Sequence, residues 1–123
     1  MNRRRYSKTF NYPTLWGFTS EKAMFEWIWN NRAHVSFLSG LPLNNPVPAY
    51  FAHVLEKGLS KYPEFRLNPD NVILVTWDEH MLIDQGDSDK RARYVKQHPS
   101  ADFTALELLA EELKEKYQQL FGK

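Results

Sequence analysis

Tyr50-Phe51-Ala52-His53-Val54-Leu55, Asn71-Val72-Ile73-Leu74-Val75-Thr76 and Trp77-Asp78-Glu79-His80-Met81-Leu82-Ile83-Asp84-Gln85-Gly86 are the stretches whose reading decides the fold. The first two are short and rich in aromatic or β-branched residues, which suits strands, while the third is longer and closes on a glycine, which suits a helix. Strand, strand, helix in that order predicts a small α+β core. It also sets His53 on a strand, Asn71 where the next strand begins, and His80 one helical turn ahead of Asp84.

The flanks read as helices around that core. Ser20 is placed to cap a helix running to about Asn31, with Glu21 near its positive end and Met24, Trp27 and Ile28 forming an apolar stripe. The tryptophans of this helix read as core. Ser36 to Leu43 reads as a strand and tight turn, and Pro46 and Pro48 exclude a helix in the loop that follows. Residues 56–70 form a long turn-rich loop. Asp78 is expected to cap a helix over 79–85, and Asp87 or Ser88 to start another reaching about Gln97, with Lys90, Arg91, Arg93 and Lys96 on its exposed face. A last helix begins near Asp102 and carries Phe103, Leu106, Leu109, Leu113, Tyr117 and Leu120 at three- and four-residue spacing, with Gly122 beyond it. The expected division is one domain over 1–123: a basic, aromatic arm over 1–19, a scaffold helix over 20–35, the core over 36–86 and C-terminal helices over 87–123.

Composition bounds the function. A chain of 123 residues supports one modest core, and 42% hydrophobic residues with four tryptophans supply the apolar surface that folding requires. A net charge of only +1 excludes a global basic field, so any contact with nucleic acid has to be local. Arg3, Arg4 and Arg5 form one basic cluster among aromatics, and Lys90, Arg91 and Arg93 form another; Lys57, Lys61 and Arg66 lie in the long loop. Taken singly, each loop lysine reads as an ordinary solvated side chain rather than a phosphate contact. The absence of cysteine removes thiolate chemistry and disulfides and suits a reducing cytoplasm. No apolar stretch of signal-peptide or membrane-spanning length occurs, so no membrane association is expected.

The chemistry rests on three imidazole and carboxylate positions. Residues four apart lie on one helix face, so His80 and Asp84 can converge on one divalent ion, with Mg, Mn, Zn and Ni all compatible with a nitrogen and an oxygen donor. His53 is then available as a base for water. Alone, an imidazole between Phe51 and Leu55 on a strand is more often a hydrogen-bonded core residue, and Asp84 before Gln85-Gly86 also reads as a turn former. His34 and His98 lack a partner at ligand spacing and receive no role.

The ordered set from Ser36 to Gly86 resembles the HNH (His-Asn-His) endonuclease family with its ββα-metal fold. The matching pieces are Ser39-Gly40-Leu41-Pro42-Leu43, Phe51 to Gly58, Leu67 to Val75 and Glu79 to Gly86. The resemblance implies a metal-dependent DNA endonuclease of phage or mobile-element type. His53 would be the general base, Asn71 would hold the loop that aims it, and His80 with Asp84 would bind the metal. Arg3, Arg4, Arg5, Lys57, Lys61, Arg66, Lys90, Arg91 and Arg93 would contact the nucleic-acid backbone.

The chain departs from the family pattern in two places. The positions at which many members hold a zinc through paired CxxC motifs read Ser36, Ser39, Thr76 and Glu79, so no structural zinc is expected. The residue before the general base, often a metal ligand, is Ala52, which leaves Glu79, Asp78 or water to complete the ion's shell. A catalytically silent DNA- or protein-binding module, such as a packaging or recombination accessory, is the alternative that Ala52 favours. An unrelated α+β domain with structural histidines is the third.

Overall fold

A computed structural model describes residues 15–55 and 61–122. Among the described residues, four α-helices surround a two-stranded antiparallel sheet, which makes this an α+β fold. In order these are α1 (Glu21–Asn31), β1 (Phe51–His53), β2 (Val72–Leu74), α2 (Trp77–Gln85), α3 (Ser88–Gln97) and α4 (Phe103–Phe121). Each helix start has a local cause: the Ser20 side chain accepts from Ala23 N, Asp87 from Lys90 N, and Asp102 from Thr104 N and Ala105 N. At the far end of α4, Gly122 takes the left-handed conformation (φ 66°), which a residue without Cβ adopts at no steric cost.

The sheet pairs Phe51 with Leu74, Ala52 with Ile73 and His53 with Val72. Because side chains alternate across the pleat, this register sorts the core onto two faces. Phe51, Val72 and Leu74 join Met24 and Ile28 of α1 together with Leu43 and Leu67, whereas Ala52 and Ile73 join Leu38, Val75 and Leu106 of α4. A third cluster gathers Leu55, Phe65, Leu113 and Tyr117. An isolated two-stranded ribbon is marginal in water, so the helices on both faces supply the burial that holds it.

Four sequence expectations need correction. The 36–43 segment is not a strand: only the Val35–Pro42 bridge forms, and the backbone curls so that Ser36 Oγ accepts from Leu38 N and Ser39 N. A serine hydroxyl that satisfies nearby amides competes with strand pairing, and here it wins. The same turn still reaches the sheet, through Phe37 N donating to Leu74 O at 2.7 Å. Second, Trp27 is 43% exposed rather than core, its ring lying edge-on to Phe18. Third, α2 begins at Trp77 and not at 79. Thr76, not Asp78, caps it: Thr76 Oγ1 accepts from Glu79 N while Glu79 Oε1 accepts from Thr76 N, a reciprocal capping box. Fourth, Arg91 does not stand on the exposed face of α3. Its Nε and Nη2 donate to Leu82 O at 3.2 and 3.1 Å, and its guanidinium lies 5.0 Å from the Phe103 ring centre. This places Arg91 as a tie between α2, α3 and α4.

Candidate functional site

His53 ends β1 on the face that looks toward α1. Its Nε2 lies 2.9 Å from the Arg66 carbonyl oxygen, which can only accept, so that nitrogen carries a proton, and in the neutral ring the lone pair sits on Nδ1. The side chain is 10% exposed.

His80 sits on the second turn of α2 and shows the opposite tautomer. Its Nδ1 donates to Ala49 O at 2.7 Å, which leaves the lone pair on Nε2. That Nε2 is 3.2 Å from Asp84 Oδ2. Two acceptors this close repel unless a proton or a cation lies between them. The separation suits both: it is within hydrogen-bond contact for an imidazolium, and donor atoms around a small divalent ion sit about 3.0–3.5 Å apart when each bond is about 2.0–2.2 Å. A carbonyl holding the far nitrogen of a ligating imidazole is the usual support for such a ligand. His80 and Asp84 are thus the residues able to hold a metal. Among the described residues no group of three or more His, Asp or Glu is arranged to do so.

One pocket of about 330 Å³ collects these groups. His53, His80 and Asp84 line it together with Glu21, Phe25, Pro48 and Phe51. Neither imidazole is sealed in the core, and both face the same space. In the sequence Glu21 reads only as a helix-dipole residue. Here α1 carries it across to the sheet, where its Oε2 lies 3.9 Å from His53 Nε2 and 3.7 Å from Arg66 Nε. No local signal in the sequence marks Glu21, because the contact spans two elements distant in the chain.

Asn71 is fully buried and acts on the loop beside the pocket. Its Oδ1 accepts from Leu55 N at 2.7 Å, and its Nδ2 donates to Leu55 O at 3.1 Å and Phe65 O at 3.3 Å. The side chain therefore pins both ends of the segment that leads from His53 to Arg66, whose carbonyl orients the imidazole. Arg32, which follows α1, ties that helix to the entry of β2, its Nη1 donating to Val72 O and its Nη2 to Pro69 O, each at 2.6 Å. Burial pulls this guanidinium below its ordinary pKa, with Asp70 offsetting part of the effect.

Glu79 is not free to serve the pocket. It is buried, and its two oxygens accept from the Ser36 hydroxyl, Thr76 N and the Tyr94 hydroxyl. Burial pushes this carboxyl up, yet bonds from Ser36, Ser39, Thr76 and Tyr94 outweigh it and hold the group below the usual carboxylate range. Ser36, Ser39, Thr76 and Glu79 thus form one hydrogen-bonded cluster that joins the 36–41 turn to α2 and α3. Ala52 is also explained by the pleat: its side chain enters the apolar cluster of Leu38, Ile73, Val75 and Leu106, on the face away from the pocket. A carboxylate at 52 on this backbone would meet hydrocarbon.

Among the described residues, the expected cations do not gather at the pocket. Arg66 stands at its edge, whereas Lys90 and Arg93 line a separate groove between α2 and α3 and Lys61 is an exposed loop residue. Arg3, Arg4, Arg5 and Lys57 lie outside the described residues. No described helix is long and apolar enough to cross a membrane. No protein-family model, curated protein or solved structure matches the chain.

Proposed function

We propose that the protein is a metal-dependent endonuclease that hydrolyses DNA phosphodiester bonds, with the β1, β2 and α2 unit serving as a ββα-metal core. The observation that carries this reading is the 3.2 Å approach of His80 Nε2 to Asp84 Oδ2 in the same pocket as His53, whose Nε2 is already committed to Arg66 O. His53 Nδ1 takes the proton of the attacking water. The resulting imidazolium is favoured by the Arg66 carbonyl on its other nitrogen and by the Glu21 carboxylate 3.9 Å away. Asn71 positions the carbonyl that aims the ring. A divalent ion held by His80 and Asp84, whether Mg, Mn, Zn or Ni, would neutralise charge on the scissile phosphate and the leaving oxygen. A phage or mobile-element setting follows from the resemblance to HNH enzymes alone.

Plasmid nicking across those four metals tests the proposal. His53→Ala should lower nicking by about 10²–10⁴-fold, the usual contribution of a general base, with an unchanged melting profile. Nicking that persists in that variant removes His53 from the mechanism.

A second reading, a catalytically silent DNA- or protein-binding module, is favoured by the convergence of only two metal donors among the described residues. It predicts no nicking with any of the four ions, alongside a mobility shift that weakens with salt.

A further inference from the structure

The pocket does not account for the surface beside it. Trp77 is 57% exposed and Met81 39% exposed, and both line a groove of about 510 Å³ between α2 and α3. Lys90 and Arg93 line the same groove, and among the described residues neither is held in an ion pair. The carboxylates near them are Asp78, which also lines the groove, and Asp87, which feels both cations and whose pKa is lowered first by the Lys90 amide at the start of α3. On α2, Trp77 and Met81 form one stripe of residues four apart, and His80 and Asp84 form the neighbouring stripe. Groove and pocket are therefore two flanks of one helical ridge.

We propose that this groove is a subsite for an unpaired stretch of nucleic acid adjoining the phosphate in the pocket, with Trp77 stacking one base and Lys90 and Arg93 holding the backbone beside it. The proposal deepens the nuclease reading and rests on it, because it names the substrate as DNA with a single-stranded segment: a flap, gap, bubble or free strand. An indole face can stack only on a base whose own face is exposed, and inside a duplex both faces are covered. Two unpaired cations flanking an exposed aromatic complement a polyanion that carries rings. Arg91, the cation between them in sequence, is spent on Leu82 O, so the groove presents its charge from Lys90 and Arg93.

Fluorescence anisotropy of a labelled oligodeoxynucleotide, single-stranded and as a blunt duplex, tests this in EDTA so that no strand is cut. Trp77→Ala should weaken single-strand binding by roughly 5- to 150-fold and duplex binding by less than about 2-fold, with Trp77→Phe close to the parent. Lys90→Gln with Arg93→Gln should weaken both forms and lower the single-strand salt slope by about 1.4. Single-strand binding unchanged in Trp77→Ala, or an equal loss on duplex, overturns the proposal. So does the absence of binding to either form, which would leave the groove to a protein partner. Failure here is separable from failure of the hydrolytic reading. Cleavage of a single-stranded oligodeoxynucleotide that needs His53 but ignores Trp77 refutes the groove alone, and Trp77-dependent single-strand binding without cleavage by any metal refutes hydrolysis alone.

Discussion

Replacing Asn71 by alanine removes three hydrogen bonds from a fully buried site, and the cost can be worked out partner by partner. Leu55 N and Leu55 O both lose their Asn71 partner, while Phe65 O keeps the bond it accepts from Asn68 N at 3.2 Å. An orphaned buried polar group costs about 1–3 kcal/mol, so two of them give a loss of about 2–6 kcal/mol. A domain of this size is stable by about 5–15 kcal/mol, so Asn71→Ala should remain folded at low temperature but approach the margin. Urea unfolding measures it, as a large fall in midpoint with little change in slope. Asn71→Asp keeps the acceptor for Leu55 N but turns a second acceptor toward two carbonyls, and should be at least as damaging. A loss below about 1 kcal/mol in Asn71→Ala would show that the loop does not depend on this side chain and would refute the assigned role.

The buried Glu79 and Tyr94 pair gives stability a dependence on pH at both extremes. Glu79 is held below its ordinary value of 4.5, so its contribution is complete above that pH and is lost as pH falls through the folded value; Glu79→Gln should flatten the acid limb of a urea-midpoint profile. The Tyr94 hydroxyl is pushed up from 10.0 to about 12, first by burial and further by Glu79, although its contact with Thr76 acts the other way. Its contribution is therefore complete below pH 10 and disappears as pH rises through about 12, and Tyr94→Phe should remove that alkaline loss. At the end of α2, a Cβ on Gly86 would lie 2.5 Å from Leu82 O and 2.8 Å from Leu82 Cα. Gly86→Ala should cost about 1–3 kcal/mol in thermal unfolding, and an unchanged melting point would show that the backbone there yields freely.

Apart from the start and cap of α2, helix positions and caps are legible in the chain because their causes are local. Ser20, Asp87 and Asp102 cap as their spacing suggests, and the 3.6-residue pattern of α4 gives its buried face without reference to anything else. The proximity of His80 and Asp84 was legible for the same reason, since four residues of helix dictate it. What escaped depends on partners far away in sequence. Glu21 reaches His53 across 32 positions only because α1 packs on one face of the sheet. Glu79 read as a spare metal ligand, and only the fold reveals Ser36 and Tyr94 converging on it. The 36–43 segment reads as a strand because a hydroxyl bonding its own backbone looks, residue by residue, like any small polar side chain in a strand.

The two anchors of α2 have a mechanical consequence. Its first turn is bolted to Ser36 and Tyr94 through Glu79, and its last turn is gripped by the Arg91 guanidinium of α3, bonded to Leu82 O. A rod of nine residues fastened at each tip can neither spin nor slide on its own axis. His80 and Asp84 therefore keep their mutual aim through thermal motion, and any widening of the cleft has to come from the opposite wall, where Glu21 and Phe25 ride on α1.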